Sequence, residues 1–198
     1  YMFFDNGYYV CLPELKKESK GVSWTEEFKG DIISINDFYV ARSDRDTSAT
    51  LNAALRENYH ILFTPGIYNL DRPLTVENED TILMGLGLAT LKLTDKNSDT
   101  GIRIADVDGV RISGIMLDAG PSSNSLMEIG EKKTGASHAD NPTVLNDVYF
   151  RIGGADKGNT FVDKTLIINS NDVVGDNFWV WRADHGDGVG WDVNRATN

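Results

Sequence analysis

Residues 112–117 read Ile-Ser-Gly-Ile-Met-Leu, and two later stretches of the chain repeat this pattern. Residues 145–150 read Leu-Asn-Asp-Val-Tyr-Phe, and residues 174–179 read Val-Gly-Asp-Asn-Phe-Trp. The three stretches begin 33 and 29 residues apart. Unequal steps of about 30 residues around a constant strand signature are typical of a solenoid, in which coils stack and the loops between them vary in length.

Short apolar runs separated by Gly, Asn and Asp fill the chain from His60 onward, and none of them keeps a helical period. No Asn-Gly turn of the hairpin type joins these runs, which disfavours an antiparallel sandwich. We therefore predict an all-β fold, a right-handed parallel β-helix (solenoid) that begins near His60.

The repeat also predicts which side chains stack inside such a helix. The predicted interior columns are Ile112, Leu145 and Val174, followed by Ile115 and Val148. Asn177 would interrupt the apolar pattern, so we expect it to form a polar corner or a polar ladder.

Residues 43–58 carry the strongest helix signal. Helix-forming Ala and Leu residues follow Asp46 and Thr47, either of which can cap the N-terminus. We predict a short helix over residues 48–55 that caps the N-terminal end of the β-helix. Residues 1–42 then form an N-terminal extension that packs on the main body, and residues 43–198 form the β-helix module. Because the chain opens without Met and stops just after a strand-like segment, we expect a fragment of a longer protein.

Composition and charge narrow the class of partner. The 198 residues carry a net charge of −11, which repels phosphate backbones and argues against nucleic-acid binding. No apolar run is long enough to span a bilayer, and no signal peptide is visible at the start. Cys11 is the single cysteine, so no intrachain disulfide forms, and we expect it to be buried.

Residues 173–191 hold the best candidate site. An alternating, strand-like run ends in a loop with Asp184, His185 and Asp187, flanked by Trp181 and Trp191. Indole faces stack on the apolar faces of sugar rings, while carboxylates bind hydroxyl groups or move protons. An inverting glycosidase needs two carboxyl groups about 6.5–9.5 Å apart, a separation that two aspartates three residues apart in a loop can reach. The alternative is a buried strand followed by an ordinary Gly/Asp turn.

Arg182 has two possible roles beside these tryptophans. It could bind substrate next to Trp181, or it could pair with Asp184 or Asp187 and lock the loop. Three of the four tryptophans, Trp179 among them, fall in this stretch, which favours a binding surface.

Other polar residues have simpler interpretations. Asp106, Asp108 and Asp118 lack the spacing of a calcium loop and are expected to be solvated corners. His138 falls in a polar excursion that can close over a groove but is expected to be an ordinary solvated loop. Gly-Leu-Gly at residues 85–87 precedes a strand-like segment, so a tight corner is favoured over a dinucleotide loop. We predict no metal site and no cofactor.

Several stretches resemble the pectate-lyase-like right-handed β-helix superfamily, namely residues 46–55, 60–68 and 81–87. Others resemble secreted bacterial proteins related to the β-1,3-glucanases (laminarinases) of glycoside hydrolase family 55, namely residues 105–110, 118–121, 138–143, 150–154 and 181–186. The resemblance implies a β-helical fold, an extracellular or periplasmic location and a polysaccharide ligand. The glucanases use a glutamate as general acid in an inverting mechanism, and no glutamate of this chain can be matched to it.

Two functions from different classes follow from these observations. The first is a glycoside hydrolase-like module that acts on β-glucan, with Asp184 or Asp187 in the acid and base roles. The second is a non-catalytic carbohydrate-binding or adhesive module that uses the same aromatic rings. We also expect the last coil, residues 173–198, to leave an open strand edge that favours end-to-end self-association.

Overall fold

A computed structural model describes residues 2–16, 18, 29–132, 134–155 and 160–183. The chain divides into two compact units, Tyr1–Tyr39 and Val40–Asn198. Among the described residues, no helix has the length and apolar character needed to span a membrane.

The first unit contains a three-stranded antiparallel sheet in the order β1-β2-β3. Its strands are β1 (Met2–Phe4), β2 (Tyr8–Pro13) and β3 (Gly30–Ser34), followed by a 3-10 turn at Ile35–Asp37. Asn6 adopts a positive φ of 50° in the turn between β1 and β2, a conformation that Asn tolerates better than most residues. Cys11 lies on β2 and is buried, as predicted.

The second unit opens with the last two residues of β4 and contains one described α-helix. Its elements are β4 (Phe38–Ala41), α1 (Ser48–Arg56), β5 (His60–Phe63), β6 (Ile67–Leu70), β7 (Leu74–Val76), β8 (Ile82–Leu93), β9 (Thr100–Ile104), β10 (Arg111–Asp118), β11 (Ser123–Ile129), β12 (Thr143–Ile152), β13 (Val162–Ile168) and β14 (Val173–Arg182).

From β7 onward the strands alternate between two sheets. One sheet runs β14-β12-β10-β8-β5-β4, with β6 also paired to β8, and the other runs β13-β11-β9-β7. The pairings from β5 to β14 are all parallel. From β8 onward each strand therefore stacks on the strand two positions earlier, an arrangement consistent with a pectate-lyase-like β-helix.

The strand register confirms two of the predicted interior pairs. Ile112 pairs with Leu145, and Ile115 pairs with Val148. All four side chains are at most 1% exposed. Apolar columns of this kind form the core between the two sheets.

The predicted third member of the first column, Val174, was wrong by one residue. Leu145 pairs with Gly175, while Val174 pairs with Val144 and is 42% exposed. The ring of Phe178 lies where a side chain on Gly175 would be, since a Cβ there would come within 2.1 Å of it.

The predicted register was wrong by one residue because each long strand contains one residue in the left-handed backbone conformation, and this residue was misplaced in the third stretch. Gly114, Asp147 and Asn177 have φ values of 69°, 54° and 55°, and each precedes a residue of the column that runs through Ile115 and Val148. The Asn177 amide donates to the Asp147 carboxylate and, at 3.1 Å, to the Tyr149 hydroxyl. Asn177 therefore lies in a polar corner, as expected, but it does not interrupt the apolar column, which continues from Val148 to Phe178.

The helix α1 confirms the predicted segment, and its N-cap is Thr47, which forms a capping box with Thr50. Its apolar stripe includes Leu51, Ala54 and Leu55, all buried. The Asn52 side chain accepts from the backbone N–H of Thr75 at 2.8 Å and donates to the carbonyl of Pro73 at 2.8 Å. One buried carboxamide thus satisfies two backbone groups at β7.

Candidate functional site

The outer face of β14 carries two stacked tryptophans. Trp179 and Trp181 are two residues apart, so they project from the same face of the strand. Their ring centroids lie 5.3 Å apart with an interplanar angle of 23°. Trp179 is 44% exposed, which leaves much of its surface open to solvent.

The neighbouring strand β12 extends this surface. Tyr149 pairs with Trp179, and Arg151 pairs with Trp181. Val148 and Phe150 are fully buried, so the residues that alternate with them project from the opposite, outer face. We call the surface formed by Tyr149, Trp179 and Trp181 the aromatic face.

A buried ion pair fixes the charge beside the aromatic face. The guanidinium of Arg151 donates to both carboxylate oxygens of Asp118, at 3.1 and 2.9 Å. The Asp118 side chain is only 5% exposed, so the prediction of a solvated corner at this position was wrong. A two-pronged pair of this kind holds the guanidinium plane in one orientation.

The structure separates Arg182 from Trp181. Because side chains alternate along a strand, Arg182 projects from the opposite face of β14, and its Nη2 donates to the carbonyl of Val162 at 3.0 Å. Its Nη1 is buried and has no hydrogen-bond partner among the described residues. The strand ladder continues to Ala183, whose N–H donates to Ile152. Asp184, His185, Asp187 and Trp191 lie outside the described residues.

Two of the glutamates lie in an open depression of about 600 Å³ next to the β7–β8 connection. Glu77 and Glu79 line it together with His60 and Asp80, and no Trp, Tyr or Phe is among its lining residues. The surface therefore lacks the ring faces that a sugar would stack on. His60 accepts a hydrogen bond at Nδ1 from the backbone N–H of Ile82.

Glu128 is part of an ion pair across the other sheet. Arg103 donates to Glu128 at 3.3 Å and to Asp99 at 2.9 and 3.0 Å. These carboxylates raise the pKa of Arg103, in opposition to its partial burial, which is the largest single effect. Glu128 is thus held in an ion pair with Arg103.

A cluster around the buried His138 joins residues that were expected to be solvated. His138 is 7% exposed, and its two ring nitrogens contact Asp108 at 2.6 Å and Asp106 at 3.0 Å. Asp106 also accepts hydrogen bonds from the hydroxyl groups of Ser170 and Thr134. The expectation of solvated positions was therefore wrong for His138 and Asp106.

The signal for this cluster was present in the sequence. His138 follows Asp106 by 32 residues, and Ser170 follows Asp106 by 64. Residues separated by one coil length lie above one another in a solenoid, so this spacing indicates contact. No group of three or more His, Cys, Asp or Glu side chains in the described ranges is arranged to hold a metal ion.

The Gly-Leu-Gly motif lies in the middle of β8 and is not a dinucleotide-binding loop. Residues 85–87 lie within a strand, where Gly87 and Leu88 have φ values of 60° and 55°. A dinucleotide loop leads into a helix, whereas this segment continues as strand to Leu93.

Comparison with known proteins agrees with the resemblance found in the sequence. An exo-β-1,3-glucanase from Streptomyces sp. (strain SirexAA-E / ActE) is 41% identical over 199 residues, which cover 99% of this chain and 32% of that protein. The structure of sacteLam55A from Streptomyces sp. SirexAA-E superposes with a TM-score of 0.91 at 39% identity, covering 100% of this chain and 36% of that one. A variant of sacteLam55A in complex with glucose gives the same TM-score, with 35% of its chain covered.

The chain therefore spans about a third of the length of these relatives. The family model described as the LAM55 pectate lyase-like domain matches residues 38–198, most of the chain. The chain belongs to the LAM55 pectate lyase-like domain family.

Proposed function

We propose that this chain is a β-glucan-acting module of the glycoside hydrolase type, with its sugar site on the aromatic face. The observation that carries the proposal is the stacked pair Trp179 and Trp181, on a strand that leads directly to Asp184. The similarity to a protein named exo-β-1,3-glucanase supports β-1,3-glucan as the ligand.

The roles on this site follow from its chemistry. Trp181 and Trp191 stack on sugar rings, and Arg151 is positioned by Asp118 to donate to sugar hydroxyl groups next to Trp181. Asp184 and Asp187 supply the carboxyl groups of an acid–base pair, with His185 between them. Arg182 acts from the other face of β14 by holding the strand to Val162.

A non-catalytic sugar-binding module is the second candidate. It is favoured by the ion pair of Asp118 with Arg151, because this carboxylate next to the aromatic face is already neutralised. A module with the aromatic face alone would bind glucan without cleaving it.

Binding to laminarin measured by calorimetry tests the site. Trp181→Ala should weaken binding about fivefold, since a stacking contact of this kind contributes roughly 1 kcal/mol. Tyr59→Ala, which removes a 40% exposed ring after α1, is the matched control and should leave binding unchanged. Equal binding by both variants and the wild type would contradict the proposal that the aromatic face is the sugar site.

Release of reducing ends from laminarin separates the two candidates. Asp184→Asn and Asp187→Asn should abolish hydrolysis and spare binding if these residues form the acid–base pair. Normal turnover in both variants would show that Asp184 and Asp187 are turn residues without a catalytic role. Binding without hydrolysis by the wild type would favour the non-catalytic module. The test is run on this chain and on any longer protein that contains it.

We also infer a closed right-handed β-helix with α1 as its N-terminal cap. The hydrogen bonds of Asn52 to β7 support the cap, because they satisfy groups that a further strand would otherwise pair. An extracellular or periplasmic location fits a polysaccharide ligand. End-to-end self-association through β14 is supported by the exposure of Val174 and Val180, at 42% and 53%.

A further inference from the structure

The imidazole of His138 has an unusual set of partners. A carboxylate lies at each ring nitrogen, with Asp108 Oδ1 at 2.6 Å from Nδ1 and Asp106 Oδ1 at 3.0 Å from Nε2. A neutral imidazole has one N–H donor and one lone pair, whereas the imidazolium has two donors. Both contacts are therefore hydrogen bonds only when His138 carries a proton on each nitrogen.

The same cluster ties together three loops that are far apart in the chain. Asp106 and Asp108 lie on the β9–β10 connection, His138 on the β11–β12 connection, and Asp172 on the β13–β14 connection. The backbone N–H of His138 donates to Asp172 at 2.8 Å, and Ser137 donates to the same carboxylate at 3.1 Å. A change in the charge of His138 thus alters contacts between three consecutive coils.

We propose that His138 is a pH-operated latch, which holds residues 134–142 against the two neighbouring loops while it is protonated and releases them when it loses a proton. Loss of a proton leaves a ring lone pair facing a carboxylate, and one of the two contacts turns from attraction to repulsion. The latch goes beyond the sugar site and does not depend on it.

The charged groups around the latch are mostly carboxylates. Asp106, Asp108 and Asp172 face it from the two neighbouring loops, and its own loop carries Glu131, Lys132 and Asp140. Arg111 from β10 is the cation that holds the end of the loop, through Asn141 at 2.9 Å and Pro142. Asp80 binds the amide of Asn141 at 2.8 Å from the other side.

Electrostatics agrees with this geometry. The hydrogen bond that His138 donates to the Asp108 carboxylate raises the pKa of His138 above the ordinary 6.5, against the opposing effect of burial. The hydroxyl groups of Ser170 and Thr134, followed by His138 itself, lower the pKa of Asp106 below the ordinary 3.8. Both directions favour the charged forms of His138 and Asp106.

Nitrogen-15 NMR of the imidazole rings in the whole chain tests the latch directly. His138 should titrate above 6.5 and show two protonated nitrogens below its pKa. Asp108→Asn keeps an oxygen acceptor but removes its charge, so it should lower the His138 pKa. A wild-type His138 that titrates at or below 6.5, or an unchanged pKa in Asp108→Asn, would overturn the proposal.

Proteolysis of residues 134–142 over a pH series tests the release. As the pH is raised toward the His138 pKa, the wild-type cleavage rate should increase about tenfold per pH unit, in proportion to the neutral fraction of His138. Above the pKa the rate should level off. His138→Gln, which cannot be charged, should show a flat, high rate after normalisation to an unrelated substrate. His60→Gln is the control, because His60 accepts at Nδ1 and lies outside the cluster, and it should keep the wild-type profile. A wild-type profile as flat as that of His138→Gln would refute the latch, and the NMR titration decides the matter if His138→Gln fails to fold.

Discussion

Gly114→Ala tests the bend that organises the long strands. Gly114 has a φ of +69°, and a Cβ at this position would lie 2.6 Å from the carbonyl oxygen of Gly85 on the neighbouring strand. The left-handed conformation costs an alanine about 1–2 kcal/mol. Relief of the backbone clash adds about 1–3 kcal/mol, because the partner atom cannot rotate away as a flexible side chain would. We expect a total loss of about 2–5 kcal/mol in the free energy of unfolding.

Gly135→Ala separates the two contributions. Gly135 has a φ of +83°, but no heavy atom lies within 4 Å of the position that its Cβ would take. The control should therefore lose only the conformational part, about 1–2 kcal/mol. Urea unfolding followed by tryptophan fluorescence and by circular dichroism measures both variants. If the two variants lose the same free energy, the close approach of β10 to β8 at Gly114 and Gly85 is wrong.

Three further predictions concern the cap, the pH range and self-association. Asn52→Ala should lower the free energy of unfolding by about 2 kcal/mol, since it leaves two backbone groups without partners, while the exposed Asn69→Ala on β6 should change it by less than about 0.5 kcal/mol. A smaller loss of free energy for Asn52→Ala in urea unfolding would contradict the proposed capping role of α1. Stability from Asp106 is present above pH 3.8 and lost as the pH falls through its lowered pKa, whereas stability from His138 is present below pH 6.5 and lost as the pH rises through its raised pKa. Thermal unfolding across the pH range should thus show maximal stability between these values, and a maximum above pH 8 would contradict this reasoning. Val180→Lys should reduce self-association in sedimentation velocity, because it places a charge at the edge of the sheet. Val40→Lys is the control and should leave self-association unchanged. Equal monomer fractions in the wild type and Val180→Lys would contradict association through this edge.

The sequence repeat located the core where its spacing was unambiguous. Residues 112 and 145 fell in register because each begins an apolar, polar, left-handed, apolar sequence, with Gly114 and Asp147 as the left-handed residues. In the third stretch two candidates stand side by side, Asp176 and Asn177, and both residue types tolerate positive φ. The pattern favoured Asp by analogy with Asp147, whereas the chain places Asn177 at the bend. A one-residue choice of this kind moves every later side chain to the other face.

The candidate site was predictable to the extent that it depends on alternation within one strand. The spacing of Trp179 and Trp181 puts both rings on one face, and the same rule puts Arg182 on the other. The support from Tyr149 and Arg151 comes from the neighbouring strand and depends on register, so no local pattern could supply it.

The cluster at His138 shows where local interpretation of a sequence fails in a solenoid. Asp106, His138 and Ser170 each stand in a short polar connection, and a polar residue in such a connection is usually solvated. Stacking changes that expectation, because each connection is covered by the ones before and after it, and a polar side chain that is covered needs a partner. The partner of His138 was 32 residues away, one coil length, where the repeat had already shown that side chains meet. Hydrogen bonds to two carboxylates then favour the charged form of this histidine against the opposing effect of burial, and the loop contacts that it makes come to depend on pH.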